Sequence, residues 1–126
     1  MRIPALLAAL ALTALAPAPL TAHVKLAAST PAAGTAAKAP TKVTLTFSEK
    51  VVPATAAASI IMTWMPGMPN HGEMPIRNFT ASWSADGKTM TLTLKKPLPK
   101  GTYDVRWQAA SGDGHTVRGT VTFDVG

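Results

Sequence analysis

Between Met62 and Met74 the chain carries four methionines and a histidine: Met62, Met65, Met68, His71 and Met74, interrupted by Pro66, Gly67, Pro69 and Gly72. An isolated methionine is ordinarily a flexible filler of core gaps. A Pro/Gly loop cannot turn four such side chains inward in a regular strand or helix, so exposed thioethers are expected here. Thioethers are soft donors that select Cu(I), and His71 adds an imidazole. A sticky contact surface for a partner and a bias of composition are the competing readings.

A second group of donors is split along the chain. Asp113-Gly114-His115 precedes the last strand pattern, and residues two apart on an extended chain lie on the same side. His115 offers an imidazole; Asp113 offers an oxygen ligand or an acceptor that orients a ring. By itself Ser111-Gly112-Asp113-Gly114 reads as a turn with an exposed histidine beside it. His23 changes that balance. Met1-Arg2, the Ala/Leu run from Leu6 to Leu15, the helix breakers Pro17 and Pro19, and the small-residue end Leu20-Thr21-Ala22 follow the order of a secretory signal peptide. The apolar run is short of the about 20 residues a spanning helix needs. Cleavage is expected between Ala22 and His23, leaving residues 23–126 as one soluble domain. His23 then carries both a free α-amine and an imidazole. Amine nitrogen and Nδ1 can chelate one ion, and a second imidazole completes a three-nitrogen, T-shaped set suited to Cu(II).

Composition narrows the remaining classes. The sequence has no cysteine, so an exported domain would not depend on disulfides, and structural zinc would lack its usual ligand. Twelve Lys and Arg stand against six Asp and Glu; loss of Arg2 leaves an excess of five. The basic residues are scattered through turns and alternate strand positions, unlike the clustered face with interleaved aromatics of a nucleic-acid binder. There is no cysteine nucleophile, no glycine-rich phosphate loop after a strand and no paired carboxylate in an apolar setting. A non-enzymatic role is therefore expected.

The elements that must position these donors read as strands. Val43–Phe47, Met90–Leu94, Tyr103–Trp107 and Val121–Val125 alternate apolar and polar, as half-buried strands do. Ser59–Thr63 alternates less clearly. Phe79–Trp83 leads into Asp86-Gly87, a hairpin pair. Ala54–Ala58 is the one stretch with helical propensity, enough for a loop or a single turn. Residues 29–40, rich in Ala and Pro, read as a long surface connection. Short strands at even spacing predict an all-β Greek-key sandwich or small barrel. Trp83, Trp107, Phe47, Phe123 and Tyr103 are its expected core.

On these residues the chain resembles the CopC family of periplasmic copper-resistance proteins. The resemblance rests on His23 leading to Leu26 and Ser29-Thr30-Pro31-Ala32, on Leu45-Thr46-Phe47-Ser48-Glu49, and on Met65-Pro66-Gly67-Met68. Gly101-Thr102-Tyr103, Asp113-Gly114-His115 and Gly119-Thr120-Val121-Thr122-Phe123 complete it. It covers essentially all of residues 23–126, although the stretch from Met68 to Met74 is a residue longer than the family pattern. It implies a Greek-key β-sandwich of immunoglobulin-like, cupredoxin-like topology, in the periplasm, with two copper sites toward opposite ends. The Cu(II) set would be His23, Asp113 and His115, with Glu49 nearby; the Cu(I) set would draw on Met62, Met65, Met68, His71 and Met74. Copper ions are the implied cargo, and a CopD-like inner-membrane protein or a multicopper oxidase are the implied exchange partners. A terminal histidine on a β-sandwich also occurs in copper oxygenases that cut polysaccharides, because a fold does not by itself set chemistry. A sandwich that binds no metal and serves as an interaction module is the third reading.

Overall fold

The computed structural model describes residues 23–68, 70 and 72–126. The segment expected to be a signal peptide, and His71, lie outside the described residues. Nine strands occur among the described residues: β1 Leu26–Thr30, β2 Ala36–Ala37, β3 Lys42–Phe47, β4 Ala57–Trp64, β5 Met74–Ile76, β6 Phe79–Trp83, β7 Thr89–Leu94, β8 Gly101–Ala110 and β9 Thr116–Val125. They form one sheet in the order β1-β3-β7-β6 and another in the order β2-β9-β8-β4-β5. The chain crosses between the sheets repeatedly, so strands adjacent in sequence often lie in opposite layers. All pairings are antiparallel except β2 with β9. The two layers are open sheets, which decides for a sandwich over a closed barrel.

Alternation explains the layering. In β3, Val43, Leu45 and Phe47 are buried while Lys42, Thr44 and Thr46 face outward; β7 repeats this with Met90, Leu92 and Leu94. They pack against Ile60 and Met62 of β4, Tyr103, Val105 and Trp107 of β8, and Val121 and Phe123 of β9. Tyr103 stacks on Phe123 at 5.8 Å, and Phe47 meets Trp107 edge-on at 5.2 Å. Trp83 is only partly buried, packing on this core from β6 at the sheet's edge. The Asp86-Gly87 hairpin forms as expected, with Gly87 at φ +72° and Asp86 accepting from the Lys88 amide at 3.0 Å.

One expectation is corrected, and a second is met in part. Residues 29–40 are not simply a connection. Ser29 and Thr30 finish β1, and Ala36–Ala37 pair with Asp124 and Val125, because the edge of β9 offers unpaired backbone groups. The helix-prone stretch makes a single 3-10 turn at Pro53–Thr55, and Ala57 and Ala58 already belong to β4. There, pairing with β8 overrides the propensity of alanine.

Tyr103 is fully buried and donates its hydroxyl to the Pro99 carbonyl at 2.6 Å. Burial pushes its pKa up to about 12. An unfolded tyrosine ionises near 10, so between these values the unfolded chain has lost a proton that the folded chain keeps. Stability is therefore full below pH 10 and falls as pH rises through 12, by about 2–3 kcal/mol from this group. Denaturant melts from pH 9 to 12 should show that decline in the wild type and a shallower one in Tyr103→Phe.

Candidate metal centre

β8 and β9 form a long hairpin closed by residues 111–115, with Ala110 opposite Thr116. Gly114 takes a positive φ of +80°, and its amide donates to the Ser111 carbonyl at 3.1 Å. This turn directs Asp113 and His115 to the same end of the sandwich. One Asp113 oxygen accepts from the His115 amide at 2.9 Å and from the Ser111 hydroxyl at 3.2 Å. The other carboxylate oxygen lies 2.8 Å from His23 Nδ1 and 3.7 Å from His115 Nδ1.

His23 arrives there through the start of β1. Val24 is buried in the core. The Lys25 amide donates to Ser48 Oγ at 2.9 Å, and the Ser48 amide donates back to the Lys25 carbonyl at 2.8 Å. These contacts fix the chain two residues beyond His23, so the imidazole meets a loop ninety residues away in sequence. The His23 and His115 rings stand nearly perpendicular, centroids 4.8 Å apart.

Among the described residues, His23, Asp113 and His115 form one group whose ligand atoms all lie within 4.8 Å of one another. His23 Nδ1 and Asp113 Oδ2 lie 2.8 Å apart, a hydrogen-bond distance, and a group of imidazole nitrogens with a carboxylate oxygen is the donor type that a tetragonal ion prefers. All three side chains are exposed enough for an ion to enter. Asp113 is held down at about 2, chiefly by the His115 amide and then by the His23 side chain, with Ser111 adding to them. It is therefore an anion throughout the physiological range, ready as a ligand or as an orienting acceptor.

Glu49 does not join this group. It is half-buried in the turn after β3, where the chain bends to send Val51 fully into the core. That turn passes close by, since the Val52 amide donates to the Ala110 carbonyl at 3.0 Å, yet the Glu49 carboxyl is not part of the cluster.

The methionine segment lies at the other end of β8. Trp64 pairs with Thr102 near the start of β8, whereas the 111–115 turn follows its last residue, Ala110. Ten residues of strand separate the two ends, roughly 30 Å. Met65-Pro66-Gly67-Met68 forms a tight turn, the Met68 amide donating to the Met65 carbonyl at 3.3 Å with Gly67 at φ +81°. Proline then glycine at the centre is the composition of a type II turn. Its two methionines thus flank one bend. Met68 is 53% and Met74 42% exposed, while Met65 is partly buried against the core.

Met62 departs from the sequence expectation. It is 3% exposed and belongs to the core, paired in register with Tyr103 and Met74. Met62 already lies within the strand candidate Ser59–Thr63, and its inward position in β4 claims this thioether for packing.

Sequence reading missed the clamp that returns the loop to the sheet. Arg106 of β8 holds Glu73 in a two-pronged pair, Nη1 to Oε1 at 3.1 Å and Nη2 to Oε2 at 2.6 Å, and also reaches Asp104 at 3.2 Å. The guanidinium keeps the Glu73 carboxyl below its usual range. Opposite charges thirty-three residues apart carry no local spacing signature, so only the β4–β8 and β4–β5 pairings bring them together.

The fold and these two ends define a class: small β-sandwiches that gather hard nitrogen and oxygen donors at one end and thioethers at the other. The CopC domain family model matches residues 26–126, and the chain belongs to the CopC family. It is 46% identical over 104 residues to copper resistance protein C of Pseudomonas syringae pv. tomato, covering 82% of this chain and 81% of that protein. Copper resistance protein C of Xanthomonas campestris pv. juglandis is 42% identical over 113 residues, covering 88% and 86%. The crystal structure of PcoC, a methionine rich copper resistance protein from Escherichia coli, superposes with a TM-score of 0.75 at 39% identity, covering 83% of this chain and all of that one.

Proposed function

We propose that this protein is a periplasmic copper carrier, binding Cu(II) through His23, Asp113 and His115 and Cu(I) through the methionine loop, and passing both on without catalysis. The observation that carries the reading is the meeting of His23 with Asp113 and His115, side chains from two distant parts of the chain held within 4.8 Å of one another. Imidazole and carboxylate suit Cu(II), whereas thioethers suit Cu(I). A change of redox state therefore changes which end of the sandwich holds the ion. The names of the relatives, copper resistance proteins, support copper as the cargo.

Residues 1–22 act in this reading as a leader whose removal frees the His23 amine, which joins Nδ1 on the ion. Met65, Met68 and Met74 are the proposed Cu(I) donors together with His71; Met62 packs in the core. No helix among the described residues is long and apolar enough to cross a membrane, which agrees with a carrier that meets membrane partners from outside. A CopD-like inner-membrane protein or a multicopper oxidase is the proposed acceptor.

Titration of the His23-terminal protein should give one equivalent of Cu(II) and, anaerobically, one of Cu(I), each bound while the other site is filled. Competition of the two ions for a single site sinks the two-site model. Reductant-dependent oxygen consumption with a polysaccharide sinks the non-catalytic one.

A further inference from the structure

Lysines that are scattered along the sequence are gathered by the fold. β3 begins at Lys42, whose register partner Thr93 lies near the end of β7. Lys95, Lys96 and Lys100 occupy the link from there to Gly101, the first residue of β8. Gly101 pairs with Val125, Val125 pairs with Ala37, and Lys38 follows directly. The Leu98 amide donates to the Pro40 carbonyl at 3.0 Å, which ties the 38–42 segment to the 95–100 link. Trp64 pairs with Thr102 at this same end of β8. Lys38, Lys42, Lys95, Lys96 and Lys100 therefore share the end from which the methionine loop leaves, and all are exposed.

Little negative charge answers them. Among the described residues the ion pairs are made by Arg106, His23 and His115, none by a lysine. Glu73 and Asp104 are both held by Arg106. That leaves Asp124, whose carboxylate accepts from the Thr102 hydroxyl at 2.8 Å. Glu49, Asp86 and Asp113 belong to the opposite end, with Ser48, the Gly87 hairpin and the 111–115 turn. A cationic end repels a free copper ion. It attracts and orients an acidic surface once the two approach within about 8 Å, the screening length at physiological salt. Trp64, Met68 and Met74 expose apolar surface at the same end, and apolar contact inside a charged rim is the make-up of a protein interface. A lipid surface would supply the negative charge but no soft donor to take the ion.

We propose that the methionine end is the docking face for an acidic protein, whose carboxylates surround its own soft Cu(I) site and are aligned by these lysines. This rests on the reading of the loop as a Cu(I) site and adds to it the chemistry of the partner that exchanges with it. The lysine field then acts twice. It brings the acidic acceptor to the loop, and it favours movement of the bound cation toward the carboxylates across the contact.

Two synthetic peptides with the same Met-x-x-Met core, one flanked by glutamates and the other by glutamines, serve as probes. Added to copper-free, isotope-labelled protein, the glutamate peptide should shift the amide resonances of Lys42, Trp64 to Met68 and Lys95 to Lys100. Those of Lys50, Lys88 and Arg118 should stay in place. Anaerobic transfer of Cu(I) to the glutamate peptide should be about tenfold faster than to the glutamine peptide at low salt, and the gap should close as salt rises. Lys95→Glu/Lys96→Glu/Lys100→Glu should abolish the advantage. Lys50→Glu/Lys88→Glu/Arg118→Glu changes the net charge equally at the far end and should keep most of it, with thermal melts verifying that both fold. Equal loss in the two triple variants, or amide shifts spread over both ends, overturns the proposal, because net charge alone would explain the attraction. Co-sedimentation with phosphatidylglycerol vesicles that the first variant loses, with no difference between the peptides, overturns it in favour of a lipid surface. A wild type that binds no Cu(I) overturns the loop reading, and the amide shifts of the copper-free protein still decide the docking face.

Discussion

Leaving one extra residue ahead of His23 is expected to weaken Cu(II) binding by more than about a hundredfold while Cu(I) binding stays unchanged. Loss of an outer-shell partner alone typically costs 10–100-fold in metal affinity, and the proposed Cu(II) site loses a direct donor. The extra residue converts the His23 amine to an amide, whose nitrogen no longer offers a lone pair, and the chelate with Nδ1 opens. Imidazole and carboxylate remain, still assembled by Val24, Ser48 and the 111–115 turn, so residual weak binding is expected rather than none. The pH profile should distinguish the two proteins further. A free α-amine has a reference pKa of about 7.7–8.0, and a proton must leave it for the ion to bind. Affinity of the His23-terminal protein should fall about tenfold per pH unit below that range from this group, a component absent from the extended protein. Asp113 adds nothing to that slope near neutrality, because its carboxyl is held at about 2 and stays ionised. Chelator competition from pH 6 to 9 on both proteins measures all of this. Equal Cu(II) affinity in the two would remove the amine from the site.

The two-layer β architecture was legible because it rests on a period of two that shows in Val43–Phe47, Met90–Leu94 and Val121–Val125 without any tertiary information. The residues that meet at the His23 end were legible by type, and their meeting by the family resemblance. Spacing alone could not bring His23 to Asp113, since that contact depends on Val24 and Lys25 seating β1 against the turn after β3. Where reading failed, a local pattern was overruled by pairing. The register of β4 against β8 buried Met62 and exposed Trp64, and a slip of one residue leaves no mark in composition. Glu49 was placed by resemblance and is not part of the cluster; Val51, two residues on in the same turn, is buried in the core. Arg106 showed only as one of the scattered basic residues, because its partnership with Glu73 exists only across strands.

Replacing Met65, Met68 and Met74 together by leucine is expected to lower Cu(I) affinity by at least about a hundredfold, again judged against the 10–100-fold cost of losing an outer-shell partner. Leucine keeps the volume and apolarity of methionine, and such swaps usually cost less than about 1.5 kcal/mol each. Met68 and Met74 are largely exposed, so their replacement removes sulfur donors and little packing. The Met65-to-Met68 turn should persist, because its shape comes from Pro66 and from Gly67 at positive φ. Met62→Leu is the matched control. Its side chain is in the core, opposite Tyr103 in register, so it should change the melting temperature slightly and Cu(I) affinity hardly at all. Cu(II) affinity should be the same in every variant, since sites about 30 Å apart along β8 with no shared side chain behave additively. Anaerobic chelator competition for Cu(I), Cu(II) titration and thermal melts on the triple variant and on Met62→Leu test these together. A triple variant that still binds Cu(I) at wild-type strength places the soft site elsewhere; a Met62→Leu variant that loses it restores the buried methionine as a donor and requires β4 to open at its end when copper enters.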